Sequence, residues 1–222
     1  MKIISLNYGK KKTYDFSGKI IESAFMKKPV FTDVHINKLG IIGDEQADEK
    51  HHGGDDKAIC LYPFEHYAYW ENRLNKKLDI CSFGENITIE GLKEDSLYIG
   101  DTLKIGEIIL EISQPRQPCY KLAYFYNTPE LPIWVQETGY TGYYARVLKE
   151  GTINSNDKVS IIERDPLKIS IEFANQIMHH DKKNTEAIRK ILEVKALSKS
   201  WRASFEKMLS GSSIDINARV KG

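Results

Sequence analysis

The sequence is poor in cysteine, with only Cys60, Cys81 and Cys119 among 222 residues. An odd number of cysteines cannot form a fully paired disulfide framework, and their spacing contains no CxxC pattern of the kind that binds zinc. Free thiols are typical of a reducing compartment. We therefore expect three unpaired cysteines and a cytoplasmic protein.

Long apolar runs and a strong charge of one sign are also absent. No apolar run approaches the roughly 20 residues that a membrane-spanning helix needs, and the first residues, MKIISLNYGKKK, lack the apolar core of a signal peptide. With 32 basic and 31 acidic residues, the formal net charge is only +1. Because nucleic acids and anionic membranes select strongly basic surfaces, we expect neither as a partner.

Four common catalytic motifs are missing: GxGxxG, the P-loop, HExxH and GxSxG. A Rossmann-type nicotinamide or flavin site and phosphoryl transfer are therefore unsupported. Any chemistry must come from less familiar arrangements of residues.

Short apolar segments separated by turn residues dominate residues 1–164 and predict a mainly β region. A tight hairpin is predicted at residues 103–112, turning at Gly106. Such a pattern favours a closed or folded-over sheet. Further strands are predicted at residues 2–8, 29–36, 58–62, 86–89, 97–99 and 159–162, and helices at residues 63–74, at residues 133–138 and shortly after Cys119.

The pattern changes at residues 164–166, after which three amphipathic helices are predicted at residues 167–180, 185–194 and 198–209. Asn184 and Ser198 are suitable N-caps for the second and third. We therefore predict two domains, a β domain at residues 1–164 and a small all-α domain at residues 165–222. The second carries 11 basic and 7 acidic residues, and its tail from Gly211 is expected to be mobile.

One chemically informative segment is QPRQPC at residues 114–119. A guanidinium such as that of Arg116 increases the thiolate fraction of a nearby cysteine, and thiolate is both a nucleophile and a soft-metal ligand. Cys119 is thus a candidate reactive thiol, although a free cysteine often serves as a small buried hydrophobe. Cys60, within an apolar strand, is predicted to fill the core, and Cys81 is also taken as structural.

A second informative segment, GDEQADEKHHGGDDKAIC, spans residues 43–60. Gly53 and Gly54 allow the backbone to approach a ligand closely, and their N–H groups can form a nest for an anion. Lys57 can pair with a phosphate. The alternative is a polar turn with solvated charges.

The third segment, Gly84-Glu85-Asn86, ends a loop and enters a strand. It offers backbone donors and an orienting carboxylate to a ligand, or it is a plain turn. The spacing alone leaves both interpretations open.

Together these segments resemble the MOSC family, domains related to the C-terminal part of molybdenum-cofactor sulfurases. The resemblance rests on GDEQADEKHHGGDDKAICLYPFEHYAYW, FGENIT and IGDTLKIGEIILEISQPRQPCYKL, in that order, and covers about residues 1–164. It is strongest to the bacterial YiiM-type branch. That branch also carries a short three-helix C-terminal domain, which fits residues 165–210.

The resemblance implies a β-barrel-like domain with peripheral helices that binds a molybdenum cofactor through its pterin dithiolene. It places the family's cysteine at Cys119, as a thiolate ligand to molybdenum or a sulfur carrier. Relatives reduce N-hydroxylated compounds, including hydroxylaminopurines and amidoximes, by two electrons with loss of water. Proton donation is assigned to His52, directly before the glycine pair, or to Asp56. The implied cofactor-binding residues are His51, Gly53, Gly54, Lys57, Gly84, Glu85, Asn86 and Arg116.

Nothing in the sequence supplies electrons, so the same reading implies a separate reductase, expected to contain flavin. The basic C-terminal helices are either its docking surface or a structural cap. Two other functions remain open at this point. One is a non-catalytic sulfur or cofactor carrier that uses a persulfide on Cys119, and the other is a cysteine hydrolase that pairs Cys119 with His51 or His52.

Overall fold

The computed structural model describes residues 1–47, residues 53–212 and Arg219. His51 and His52 lie outside these described residues. The described strands are β1 Lys2–Tyr8, β2 Lys12–Phe16, β3 Lys19–Ser23, β4 Lys28–Val30, β5 Val34–Asn37, β6 Gly40–Ile41, β7 Ile59–Pro63, β8 Ile87–Glu90, β9 Thr102–Ile105, β10 Ile108–Pro115, β11 Tyr143–Lys149, β12 Gly151–Ile153 and β13 Val159–Glu163. The described helices are α1 Tyr67–Leu74, α2 Lys121–Tyr126, α3 Leu131–Thr138, α4 Ile171–His179, α5 Thr185–Leu192 and α6 Lys199–Leu209, with short 3₁₀ helices at Asp55–Lys57 and Phe64–His66.

Eight strands form one large sheet in the order β13-β9-β10-β11-β7-β8-β1-β4. Neighbours run antiparallel except β7 and β8, which are parallel. Smaller sheets contain β12, β5 and β6, and the hairpin of β2 and β3. Three helices follow the sheets, so the fold is mixed α/β rather than mainly β.

The large sheet is not closed into a barrel in the described part of the chain, which corrects the prediction of a barrel-like domain. On β1, the residues from Lys2 to Leu6 pair with β8, and those from Leu6 to Tyr8 pair with β4. Only an isolated bridge from Lys2 to Lys158 reaches the residue before β13. Closure of a barrel needs a continuous ladder between the end strands, and the described residues of β13 and β4 form none.

Most short strands are confirmed to within one or two residues, including the hairpin of β9 and β10. The single strand predicted at residues 29–36 is wrong, because the chain leaves the large sheet after β4 and enters a different sheet as β5. The strand predicted at residues 97–99 is also wrong, since Tyr98 forms only an isolated bridge to Ser170.

The hairpin of β2 and β3 was not predicted, although its turn carried a signal. Ser17 and Gly18 both have positive φ, at 54° and 93°. That conformation at two successive turn residues is the one that tight hairpins favour.

The three C-terminal helices are confirmed, and serine and asparagine side chains cap their N-termini. Asn184 accepts a hydrogen bond from the amide of Ala187, and Ser198 accepts one from Trp201, as predicted for N-caps. The first of these three helices, α4, begins at Ile171 rather than near residue 167, because Ser170 is its N-cap and accepts a hydrogen bond from the Phe173 amide.

The helices share a hydrophobic core with the large sheet. Fully buried Trp201 and Phe205 of α6 belong to the same cluster of side chains as Leu110 and Ile112 of β10. The amide of Ser198 also donates to the carbonyl of Ser113, at 3.0 Å. Independent folding of residues 1–164 stays a prediction, and this shared core makes it directly testable.

No helix in the described ranges is both long and apolar enough to cross a membrane.

We expect Phe205→Ala to lower the free energy of unfolding by about 3–5 kcal/mol, since it leaves a cavity in the shared core. Phe31→Ala is the matched control, because that side chain is 92% exposed. Chemical denaturation is followed by fluorescence and by circular dichroism, and in each protein the two probes should report the same single transition. Two separate transitions, with only the helical one moved by Phe205→Ala, would instead establish two independent units.

Candidate active site

A cleft opens between the start of β7, the loop before β8 and the loop after β10, and it has a volume of about 600 Å³ including its mouth. It contains two thiols, several cations and aromatic walls. The lining residues are Ser23, Ala24, Phe25, Lys27, Asp44, Glu45, Gln46, Ala47, Lys57, Cys60, Gly84, Asn86, Arg116, Cys119, Lys121 and Tyr144.

The cleft brings together five of the residues proposed from the sequence: Lys57, Gly84, Asn86, Arg116 and Cys119. Gly53, Gly54, Asp56 and Glu85 are described but do not line it. His51 and His52 fall outside the described residues, so their roles stay predictions.

Cys119 lies in an irregular loop that connects β10 to α2. The loop stays beside the sheet at first, because the Arg116 amide donates to the carbonyl of Gly142 at 3.0 Å. The carbonyl of Cys119 then accepts from the Leu122 amide, which begins the next helical turn. The thiol is unpaired and half-buried at the wall of the cleft. It is therefore held in place and remains accessible to a ligand.

Arg116 is a buried cation at the same wall, with only 8% of its surface exposed. Burial by itself lowers its pKa, but electrostatic interactions with Cys60, Tyr144, Cys119 and the buried carboxylate of Glu85 raise it more, and the net pKa lies above the ordinary arginine value. Among the described residues, no carboxylate forms an ion pair with Arg116. A buried charge without a direct ion pair is costly, so this position favours the binding of an anion.

Lys27 is a second buried cation at the cleft, but it is already neutralised. Its ammonium group pairs with Asp44, whose carboxylate also accepts from the amide of Gly9 at 2.9 Å and from the Asn86 side chain at 2.8 Å. The side chains of Lys27 and Asp44 are 7% and 4% exposed. We assign this network to the scaffold of the cleft rather than to ligand binding.

Gly84 brings the backbone close to the cleft through a positive φ of 73°. A Cβ atom here would lie 2.8 Å from the ring of Phe25, which makes any side chain costly. Two residues further on, the side chain of Asn86 accepts a hydrogen bond from the Cys60 amide at 3.1 Å. These contacts hold the loop against the start of β7.

Glu85 supports this loop from the protein interior. It is fully buried and accepts hydrogen bonds from the Tyr67 hydroxyl at 2.5 Å, the Thr88 hydroxyl at 2.8 Å and the Phe83 amide at 3.1 Å. The carboxylate of Glu85 therefore orients the loop rather than a ligand, since it does not line the cleft.

Asp56 is engaged on the far side of the glycine-rich loop. One carboxylate oxygen accepts from Arg146 at 2.7 Å, and the other accepts from the amide of Lys199, the first residue of α6, at 2.8 Å. The structure thus ties the loop to the C-terminal helices. It lends no support to the hypothesis that Asp56 donates a proton in the cleft.

The cleft residues that the sequence did not identify as site residues include Lys27, Lys121 and Tyr144. Lys121 starts α2 and donates to the carbonyl of Glu22 at 3.0 Å. Tyr144 lies on β11, and burial is the main reason that its pKa is raised. Only Lys121, two residues after Cys119, carried a local signal, whereas the other two reach the cleft through tertiary structure.

The second thiol of the cleft differs strongly from the first in its environment. Cys60 is 5% exposed, and desolvation by burial raises its pKa to about 11. Cys81 lies outside the cleft, where burial raises its pKa to about 12 and its thiol donates to the carbonyl of Lys27. No group of three or more histidine, cysteine or acidic side chains suited to a metal ion occurs among the residues described.

The profile of the MOSC domain matches residues 48–160, which span both loops of the cleft. The chain belongs to the MOSC family. A second profile, the YiiM-like 3-alpha helix domain, matches residues 169–211 and confirms the YiiM-type resemblance. This MOSC protein is 47% identical over 205 residues to uncharacterized protein YflK of Bacillus subtilis, covering 92% of this chain and 93% of that protein.

A solved structure of YiiM from Geobacillus stearothermophilus superposes with a TM-score of 0.81 at 39% identity, covering 94% of this chain and 98% of that one. A protein of Gibberella moniliformis named "Reductase" is 35% identical over 158 residues. That match covers 69% of this chain but only 28% of the fungal protein.

We expect iodoacetamide at pH 8 to label Cys119 first, because only thiolate reacts and the thiolate fraction of Cys60 is about one in a thousand at its raised pKa. Intact-mass and peptide mass spectrometry should find one modification per chain at early times. Cys119→Ala should abolish this early label, and Cys81→Ala should leave it unchanged. Early labelling of Cys60 at a comparable rate would contradict the described burial.

Proposed function

We propose that this MOSC protein binds a molybdenum cofactor in the cleft and reduces N-hydroxylated compounds. The observation that carries the proposal is the pairing of buried Arg116, which lacks a described carboxylate partner, with the accessible thiol of Cys119 in one cleft. A cation and a soft donor side by side suit a ligand that is anionic at one end and metallic at the other.

The residues present fit such a group. Arg116, Lys57 and Lys121 place positive charge around the cleft, which suits a phosphate-bearing pterin. Cys119 offers the single protein thiolate that a dithiolene-bound metal requires as a further soft ligand. Gly84 presents bare backbone where a side chain would collide with Phe25. When bound, the cofactor would supply the two-electron redox chemistry.

The protein's own residues would bind, orient and shield the reactants. Arg116 and Lys57 would hold the anionic end of the cofactor, and Cys119 would fix its metal end. Phe25 and Tyr144 form aromatic parts of the wall that limit access of water. The raised pKa of Tyr144 keeps its phenol protonated at neutral pH. For proton delivery to the substrate we propose His52, with Asp56 as the alternative donor, and His51 is the alternative to His52 as the histidine of the site.

The relative named "Reductase" supports the reaction class. Since the match covers only 28% of that longer protein, most of its chain has no counterpart in the aligned region. Reduction here needs an electron donor, and we propose a separate flavin-containing reductase. The basic C-terminal helices are one candidate docking surface for it, and the alternative is that they form a structural cap on the sheet, whose core they share.

The direct test is expression in a host that makes the cofactor, followed by molybdenum and pterin analysis of the purified protein. Loaded protein should reduce a hydroxylaminopurine or an amidoxime in the presence of a small chemical reductant. A cofactor-free protein that carries persulfide on Cys119 would favour the sulfur-carrier alternative and overturn the reductase. Metal-independent hydrolysis that needs Cys119 would instead favour the hydrolase.

We expect Cys119→Ala to lose molybdenum or N-reductive activity while the fold is retained, since a methyl group cannot replace a thiolate ligand. The matched control is Cys60→Ala, which removes the other cleft thiol and should mainly lower stability, by roughly 1 kcal/mol. Metal content, turnover and melting temperature are measured for all three proteins. Full activity with bound cofactor in Cys119→Ala would refute the ligand assignment.

Arg116→Ala and Lys57→Ala should each reduce cofactor occupancy more than they lower the melting temperature. A charge-assisted hydrogen bond contributes about 1.5–3 kcal/mol, which corresponds to a loss of roughly 10- to 100-fold in affinity. Lys104→Ala removes an exposed cation from β9 and serves as the control. Pterin content per chain provides the measurement, and equal occupancy in all variants would contradict the assigned placement.

A further inference from the structure

Arg219, near the C-terminal end of the chain, is bonded to both neighbours of Cys119. Its guanidinium donates to the carbonyl of Pro118, and its own backbone carbonyl accepts from the amide of Tyr120 at 2.7 Å. The two contacts therefore hold the residue before Cys119 and the residue after it. Arg219 and Pro118 are 101 positions apart in the sequence.

A third hydrogen bond fixes the guanidinium to the protein. Arg219 donates to the side-chain oxygen of Gln136 on α3 at 2.7 Å. One side chain thus spans the Cys119 loop and a neighbouring helix. Because the loop from residue 116 to residue 119 has no regular secondary structure, such contacts supply restraint that a strand or a helix would otherwise provide.

The positive charge of Arg219 also acts on the thiol. Arg219 is half-buried, burial lowers its pKa, and the electrostatic interaction with Cys119 acts in the opposite direction. No carboxylate in the described ranges pairs with it. Its charge therefore adds to that of Arg116, which lies on the same loop and also interacts with Cys119.

We propose that Arg219 is a positioning residue for Cys119, which holds the cysteine loop in place and adds a positive charge beside the thiol. Arg219 is then part of the site, although it lies 100 positions beyond Cys119 in the sequence. This rests on the proposed function only in taking Cys119 as the working thiol. No comparison or motif assigned a role to this arginine.

The test compares two alkylating reagents of similar size, iodoacetate and iodoacetamide, at one pH. Both react with the same thiolate, so the ratio of their rates cancels any change in the thiolate fraction. A nearby cation attracts only the anionic iodoacetate. We expect Arg219→Ala to lower the ratio of the iodoacetate rate to the iodoacetamide rate roughly two- to tenfold relative to the wild type at low salt. At 1 M salt, most of this difference between variant and wild type should disappear because the charge is screened.

Two further variants separate charge from structure. Arg219→Lys keeps the charge and should retain most of the wild-type ratio. Gln136→Leu removes only one anchor of the guanidinium and should give an intermediate ratio, which keeps the test informative if Arg219→Ala unfolds. Arg189→Ala, which removes an exposed cation from α5, is the matched control and should leave the ratio unchanged.

A wild-type ratio in Arg219→Ala, or an equal fall in Arg219→Lys, would overturn the proposal. The experiment uses the full chain and needs neither molybdenum nor a substrate. Failure of the reductase assay would therefore leave this result unaffected, and failure here would not count against the cofactor.

Discussion

The cleft depends on one buried carboxylate, that of Asp44. It accepts hydrogen bonds from three remote parts of the chain: Gly9 just after β1, Lys27 just before β4, and Asn86 just before β8. Breaking a buried ion pair on one side leaves an uncompensated charge, which costs several kcal/mol. Asp44 therefore couples the shape of the cleft to the pairing of the sheet. Lys27 and Asp44 satisfy one another, whereas buried Arg116 has no ion pair among the described residues.

Much of the local structure could be predicted from residue patterns. The caps at Asn184 and Ser198 and the hairpin turn at Gly106 obey rules that act within a few residues. The cysteine loop was identifiable for the same reason, since Arg116 and Cys119 are near neighbours in sequence and in space. The single strand predicted at residues 29–36 failed because strand propensity does not determine which sheet a strand joins.

The rest of the site could not be predicted because it depends on contacts between distant residues. Lys27 reaches Asp44 across a gap of 17 positions, and Arg219 reaches Pro118 across 101. Asp56 was one of the two candidate proton donors, and its sequence position gave no sign that both of its oxygens accept hydrogen bonds from Arg146 and α6. Local spacing shows which residue types are close in the sequence. It does not show which of them form hydrogen bonds or ion pairs with distant residues in the folded protein.

The parallel pairing of β7 and β8 has a consequence for how the protein matures. Parallel neighbours require a long crossover, which here runs through α1, and this crossover brings Cys60 and Asn86 to the same end of the sheet. Contacts of that kind form only after a costly loop closure, so they are expected late in folding. The binding cleft then exists only once the sheet is complete. A newly made chain would therefore have to complete its sheet before the proposed cofactor could bind.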